Sequence, residues 1–226
     1  MRYLVTIVAY LLLNQAQAQI IKDESYLDSG FVIFKNQLTT CVVNKDTACL
    51  KKLLAETVFE SNDGCGFCTR NQFLKIISNT DDWEEMKNIV RYGFFRIKDE
   101  DLKLTKLNYP IVFQGPSYLK NINQYDELVI LGKDINVREK PGLKSKIIAK
   151  ASFEKFGCYC GIDAATETSF QDKDGIWWIE VKLKNGKSGY VAHKYTSDNF
   201  VRKMTVAKVN GQWKIISFSY INATWY

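Results

Sequence analysis

Cys65-Gly66-Phe67-Cys68 places two thiols two residues apart, just ahead of a segment that reads as a helix. A thiol at a helix start meets free N–H groups and the positive end of the helix dipole, which favour the thiolate that thiol-disulfide exchange needs. The same spacing suits a structural bridge pinning the loop before the helix, and no βαβ context surrounds the motif. Cys41 and Cys49 fall at the end of one helical segment and the first turn of the next, where a bridge would stabilise the pair by about 2 to 4 kcal/mol. Cys158 and Cys160 lie two apart on a strand-like stretch, hence on one face, where a direct bond is awkward. They bridge elsewhere or stay reduced. The six cysteines allow fifteen connectivities, among which spacing alone does not choose. A zinc set of Cys65, Cys68, Cys158 and Cys160 has the right number of thiolates but an unusual spacing, and an oxidising compartment disfavours it.

His193 is the single histidine, so mechanisms needing two histidines are excluded for an isolated chain. A nucleophile pair of His193 with Cys158 or Cys160 stays open, although the run Gly189-Tyr190-Val191-Ala192-His193-Lys194 reads as a strand end with a solvated histidine. Asp81, Asp82, Glu84 and Glu85 gather at a helix start, where the dipole favours negative charge, and no second carboxylate group faces them across a recognisable cleft. Phosphate-binding loops and dinucleotide fingerprints are absent. The chain is therefore expected not to be an enzyme, and to need neither metal nor cofactor.

The positioning elements begin after an export signal. Arg2, the apolar run Leu4 to Leu13 and the small-residue pattern Ala16-Gln17-Ala18 make residues 1–18 a secretory signal, and so short an apolar run does not span a bilayer. Without it the 226-residue chain keeps 208 residues, and losing Arg2 lowers the formal net charge from +6 to +5. No lysine or arginine block is present, so nucleic-acid binding gains no support. The mature chain has no transmembrane segment. It is expected to be exported, to the periplasm or the extracellular space.

Leu27, Phe31, Phe34, Leu38 and Cys41 recur at spacings of three and four, predicting a helix over about 24–43. Asp46 or Thr47 caps a second helix carrying Leu50, Leu53 and Leu54. A short strand follows at 57–59. Thr69 with Gln72 makes a capping box for a third helix, and a fourth runs from Asp81 to Gly93 with Trp83, Met86 and Val90 inward. Extended pieces follow at 94–97, 109–113 and 128–131. In the stretch 177–183, Trp177, Ile179, Val181 and Leu183 alternate with Trp178, Glu180 and Lys182, a strand with one buried face. Asn185-Gly186 and Asn210-Gly211 are hairpin turns, the second joining strands at 203–209 and 212–220.

Ile135-Asn136-Val137-Arg138, the Pro141-Gly142 turn, Lys146-Ile147-Ile148-Ala149 and Gly186-Lys187-Ser188-Gly189-Tyr190-Val191 occur in this order within about sixty residues. Together they resemble a bacterial SH3-like (SH3b) domain, with Ile135 for the usual Leu and Tyr190 for the usual Trp. The last hairpin is weakly similar to those of nuclear-transport-factor-2-like and cystatin-like folds. The whole chain resembles exported, SH3-domain-containing bacterial proteins of unassigned activity, through Trp83 to Gly93, Tyr109-Pro110-Ile111-Val112-Phe113 and Val206 to Ile216. Its order of Tyr109 and Pro110 is inverted, and its ending Asn222-Ala223-Thr224-Trp225-Tyr226 departs from the pattern.

The expected fold is α+β: helices packed on a small antiparallel sheet, with an inserted all-β SH3-like barrel. The expected domains are a signal at 1–18, a helical α+β region at 19–120, the barrel at 126–198, and a hairpin at 200–226 that completes the first domain. The resemblance implies a noncatalytic envelope binding or scaffold protein, with cell-wall peptide or glycan, or an envelope protein, as partner. Trp178 and Tyr190 are expected to face outward and stack on the ligand, with Arg138 and Lys194 supplying charge. The same aromatics could instead cover the barrel edge or its interface with the helical domain. The alternative functions are thiol-disulfide exchange at Cys65 and Cys68, and a small molecule held by the outer domain.

Overall fold

In a computed structural model of the protein the described residues are 21–61, 65–77, 80–104, 108–122, 127–158, 169–197 and 202–220. The expected export signal at 1–18, Cys160 and residues 221–226 lie outside them. The architecture is α+β, with five α-helices and two sheets among the described residues.

Asp28 sets the first helix start. Residues Ser25–Leu27 form a 3₁₀ turn, and the Asp28 carboxylate then accepts from the Phe31 N–H at 2.9 Å, so that α1 spans Ser29–Val43 and not 24–43. Phe31, Phe34, Leu38 and Cys41 form its buried stripe. Asp46 caps α2 (Thr47–Leu53) by accepting from Cys49 N–H, and Cys49 in that first turn is bonded to Cys41 across the connection. The chain then runs through β1 (Leu54–Glu60) and β2 (Gly66–Thr69). The expected capping box of Thr69 and Gln72 opens α3 (Arg70–Ile76). Helix α4 (Thr80–Tyr92) stops at Gly93, whose φ of +76° a residue with a Cβ adopts poorly, and whose added Cβ would sit 2.6 Å from Asp23. Next come β3 (Phe95–Arg96), α5 (Asp99–Leu104) and β4 (Val112–Gly115).

Seven short strands follow: β5 (Glu127–Val129), β6 (Ile135–Arg138), β7 (Ile147–Ala151), β8 (Lys155–Gly157), β9 (Ser169–Gln171), β10 (Trp177–Lys182) and β11 (Ser188–Ala192). A 3₁₀ turn at His193–Tyr195 precedes β12 (Arg202–Val209) and β13 (Gln212–Tyr220).

Chain contacts divide the described residues into two units, one from 22–120 and 202–220, the other from 121–197. The first carries a six-stranded sheet of order β2-β1-β13-β12-β4-β3. The expectation of an antiparallel sheet needs correcting, because β1 and β13 run parallel with Leu54 opposite Ile215 and Phe59 opposite Ser217. Period-two alternation reports which face is buried and carries no information about strand direction between segments so far apart in the chain. One face of the sheet packs Met204, Val206, Trp213, Ile215 and Phe218 against α1 to α4. The other gathers Ala55, Ile97, Leu102, Val112, Ala207 and Ile216.

Arg202 opens β12 deep inside this unit. Its Nη1 lies 2.7 Å from Asp82 Oδ1 and its Nε 3.2 Å from Glu85 Oε2, while the guanidinium stacks on the rings of Phe218 and Tyr220. Burial alone would favour the neutral base, but the two carboxylates and Tyr220 outweigh it and hold its pKa above the ordinary value. The acidic cluster at the start of α4 is thus partly internal: Asp82 is buried as the partner of Arg202.

The second unit's sheet has the order β5-β8-β10-β11-β6-β7, with β9 added on β10. No pairing joins β5 to β7 among the described residues, so the sheet is open where a closed barrel was expected. Closure depends on strand tilt and stagger, which loop geometry sets and alternation does not encode. Residues from both ends of the strand order nevertheless share one core, including Leu128, Val137, Ala151, Ile179, Val181 and Val191. Gly189 lets β11 approach it closely: a Cβ there would lie 2.6 Å from Val137 Cγ1 and 3.1 Å from Ile148 Cδ1.

Candidate functional site

Alternation along β10 sends Ile179 and Val181 into the core, and by the same count Trp178 outward. Trp178 is nevertheless only 2% exposed. Its Nε1 donates to Asp172 Oδ2 at 2.8 Å, and Phe170 faces it across the β9–β10 pairing. Trp177, on the face expected to be buried, is 50% exposed. The expected exposed pair of Trp178 and Tyr190 is therefore corrected: Trp178 is covered from outside by the β9–β10 turn, a contact that strand periodicity cannot foresee.

Asp172 organises that turn. Its Oδ1 accepts from the N–H groups of Asp174 (2.9 Å) and Ile176 (3.0 Å), while Gly175, at a φ of +77°, returns its own N–H to the Asp172 carbonyl. Partial burial opposes the charge, but the Ile176 N–H, the Trp178 indole and the Asp174 N–H outweigh it, and the carboxyl titrates below the usual carboxylate range.

Arg138 organises the facing loop. Its Nη1 donates to the Ser145 carbonyl at 2.6 Å, the Ser145 hydroxyl accepts from Lys140 N–H, and Glu139 N–H reaches the Lys146 carbonyl. Between this β6–β7 loop and the β9–β10 turn lies a cleft of 590 Å³, with Lys140, Leu143, Lys144 and Lys146 on one wall and Lys173 and Asp174 on the other. Tyr190 is the register partner of Arg138 and packs edge-on against Phe170, ring centroids 5.6 Å apart. Partial burial and the nearby Glu180 carboxylate push its hydroxyl pKa up, so Tyr190 stays a neutral donor.

Of the four residues expected to bind ligand, Arg138 braces the cleft and Tyr190 stands beside Arg138 on the strand face. Trp178 is buried behind Asp172. Lys194 belongs to the 3₁₀ turn, does not line the cleft, and places its ammonium 5.0 Å from the Tyr195 ring. The cleft loop, Phe170 and Asp172 escaped sequence reasoning. The run Asp172-Lys173-Asp174-Gly175 ahead of a tryptophan was the available signal, since aspartate then glycine marks a turn whose side chain caps its own backbone.

Cys41–Cys49 and Cys65–Cys68 are disulfides, with Cα atoms 5.4 and 5.6 Å apart. In the second pair Cys65 just precedes β2 and Cys68 lies within it, opposite Val58, so the bridge is held at a strand that leads directly into α3. Cys158, buried in the core of the open sheet, is also disulfide-bonded, which decides between the two outcomes left open for it and removes it as a nucleophile for His193. With Cys65 and Cys68 bonded to each other the four-cysteine zinc set is not assembled. No group of three metal-ligating side chains occurs among the described residues. His193 is half-buried in the 3₁₀ turn, its carbonyl accepting from Thr196.

Comparison with protein-family models, with curated proteins and with solved structures found no match.

Proposed function

We propose that this is a noncatalytic binding or scaffold protein of the bacterial envelope, in which an SH3-like module at 126–198 holds cell-wall peptide or glycan, or an envelope protein, in the cleft between the β6–β7 loop and the β9–β10 turn. The observation that carries the reading is the bracing of both cleft walls. In each loop several backbone N–H groups and one charged side chain are held in internal hydrogen bonds, which lowers the ordering entropy to be lost when a ligand enters. The adjoining Phe170–Tyr190 pair offers an aromatic surface on which a sugar or peptide can stack. Oxidised cysteine pairs suit a periplasmic or extracellular protein, and no helix among the described residues is long and apolar enough to cross a membrane.

Sedimentation with purified peptidoglycan tests the reading, with wild-type protein against Tyr190→Ala. Retention that falls with the variant is expected. Equal, negligible retention of both proteins would remove the wall as ligand.

A second reading, thiol-disulfide exchange, rests on the unequal exposure of Cys65 and Cys68: Cys65 is partly accessible and Cys68 fully buried. Turnover in an insulin-reduction assay, lost in Cys65→Ser, would favour it. A structural bridge gives none.

A further inference from the structure

Four lysines meet at the cleft, Lys140, Lys144 and Lys146 from the β6–β7 loop and Lys173 from the tip of the β9–β10 turn. Among the described residues none of these ammonium groups is in an ion pair, whereas Lys35, Lys87, Lys98, Lys120, Lys155 and Lys208 each have a carboxylate partner. The neighbouring Arg138 bonds a neutral carbonyl, so its charge is also uncompensated. Of the acidic residues on the walls, Asp172 is committed to three N–H donors. Glu139 and Asp174 offset part of the cationic charge, as does Asp172 through its attraction to Lys173, and the four lysines still outnumber the three acids.

The apolar part of the lining argues against a simple polyanion. Leu143 is 54% exposed at the cleft beside Pro141, and a phosphate or sulfate polymer has nothing to place against them. An extended peptide does, because it alternates side chains along its length. From this combination we infer that the cleft selects an extended acidic peptide segment, its Asp or Glu carboxylates meeting Lys144, Lys146 and Lys173 and an apolar residue covering Leu143 and Pro141. The inference rests on the cleft being the binding site proposed above and adds the chemistry of what enters it.

Fluorescence anisotropy on the full chain tests it, with three probes: a labelled peptide alternating Asp or Glu with Leu and Pro, the same peptide with Asn and Gln in place of the acids, and labelled inorganic polyphosphate. The acidic peptide is expected to bind, to weaken steeply as salt rises, and to lose about tenfold or more in affinity when Lys144→Glu, Lys146→Glu and Lys173→Glu are combined. These side chains are exposed, so an unchanged circular dichroism spectrum and unchanged disulfides are expected of the variant. Leu143→Ser should weaken the peptide and leave polyphosphate unaffected. Equal binding of the neutral peptide overturns the acid selectivity and leaves the cleft as a site. Polyphosphate binding as tightly as the acidic peptide, with no effect of Leu143→Ser, overturns the peptide assignment. Failure of every probe alongside Tyr190-dependent retention on peptidoglycan sinks this inference alone. Failure of both experiments sinks the proposed function with it.

Discussion

The two units handle charge in opposite ways. In the helix-backed sheet, charged side chains near the core are matched to partners: Arg202 to Asp82 and Glu85, Lys35 to Asp23, Lys120 to Glu24, Lys208 to Asp28. In the open sheet the core is small and apolar; Lys155 on β8 is paired with Glu127 on β5, but the ammonium groups at the cleft stand on loops whose backbone is braced and are left to solvent. Paired charge inside a core is spent on holding elements together. Unpaired charge on a braced loop costs little in stability and remains available to a ligand, and this is what supports the binding proposed for the second unit.

That contrast predicts unequal costs of mutation. Arg202→Leu should have the largest effect, about 3 to 5 kcal/mol in urea unfolding, because it strands the buried Asp82 carboxylate. A double variant that also carries Asp82→Leu should recover most of the loss, and no recovery would show that the pair does not act as a unit. Replacing both Cys41 and Cys49 by alanine should cost about 2 to 3 kcal/mol, the stabilisation expected from closing a short loop. Gly189→Ala forces a methyl group against Val137 and should cost about 1 to 3 kcal/mol, with hydrogen exchange accelerating first in β10 and β11. An unchanged exchange profile would mean that β11 shifts freely and that the small core is not closely packed.

Acid should act mainly on the first unit. Burial opposes the charge of Asp23, but hydrogen bonds from Lys35, Ser25 and the Phe94 N–H outweigh it, and its folded pKa lies below the ordinary value. Glu24 is shifted the same way by Lys120 and the Arg96 N–H, again against burial, and Asp28 by Phe31 N–H, Lys208 and Trp213. Folded values below unfolded ones mean that this stability is fully present above the unfolded carboxylate values and is lost as pH falls through the folded values, hence below about pH 4. A urea midpoint that stays flat down to pH 3 would contradict it. The smallest effect belongs to Asp172→Asn. It should move the global midpoint least while the amides of Asp174 and Ile176 exchange faster, since that carboxylate serves only the turn and the indole of Trp178.

Helices were readable because their signals are local. The stripe Phe31, Phe34, Leu38 and Cys41, the Asp46 cap, the Thr69–Gln72 capping box and the stop at Gly93 all lie within a few residues of what they determine. Both Asn-Gly turns are likewise where they were expected, with positive φ at Gly186 and Gly211. The cleft was harder to see. Its walls come from loops some thirty residues apart, and the aromatic chosen as its platform is hidden by a turn that no periodicity announces.

Sequence alone therefore determined the helical stripes, their caps, the tight turns and the near neighbours Cys41 and Cys49, because each depends on interactions within one or two turns of chain. Only the tertiary structure decided that β13 lies parallel to β1, that Asp82 is buried against Arg202, that the second sheet stays open, and that Trp177 and not Trp178 is exposed. Those outcomes depend on what packs across a face from distant segments, and a one-dimensional pattern records that a side chain is apolar without recording what will cover it.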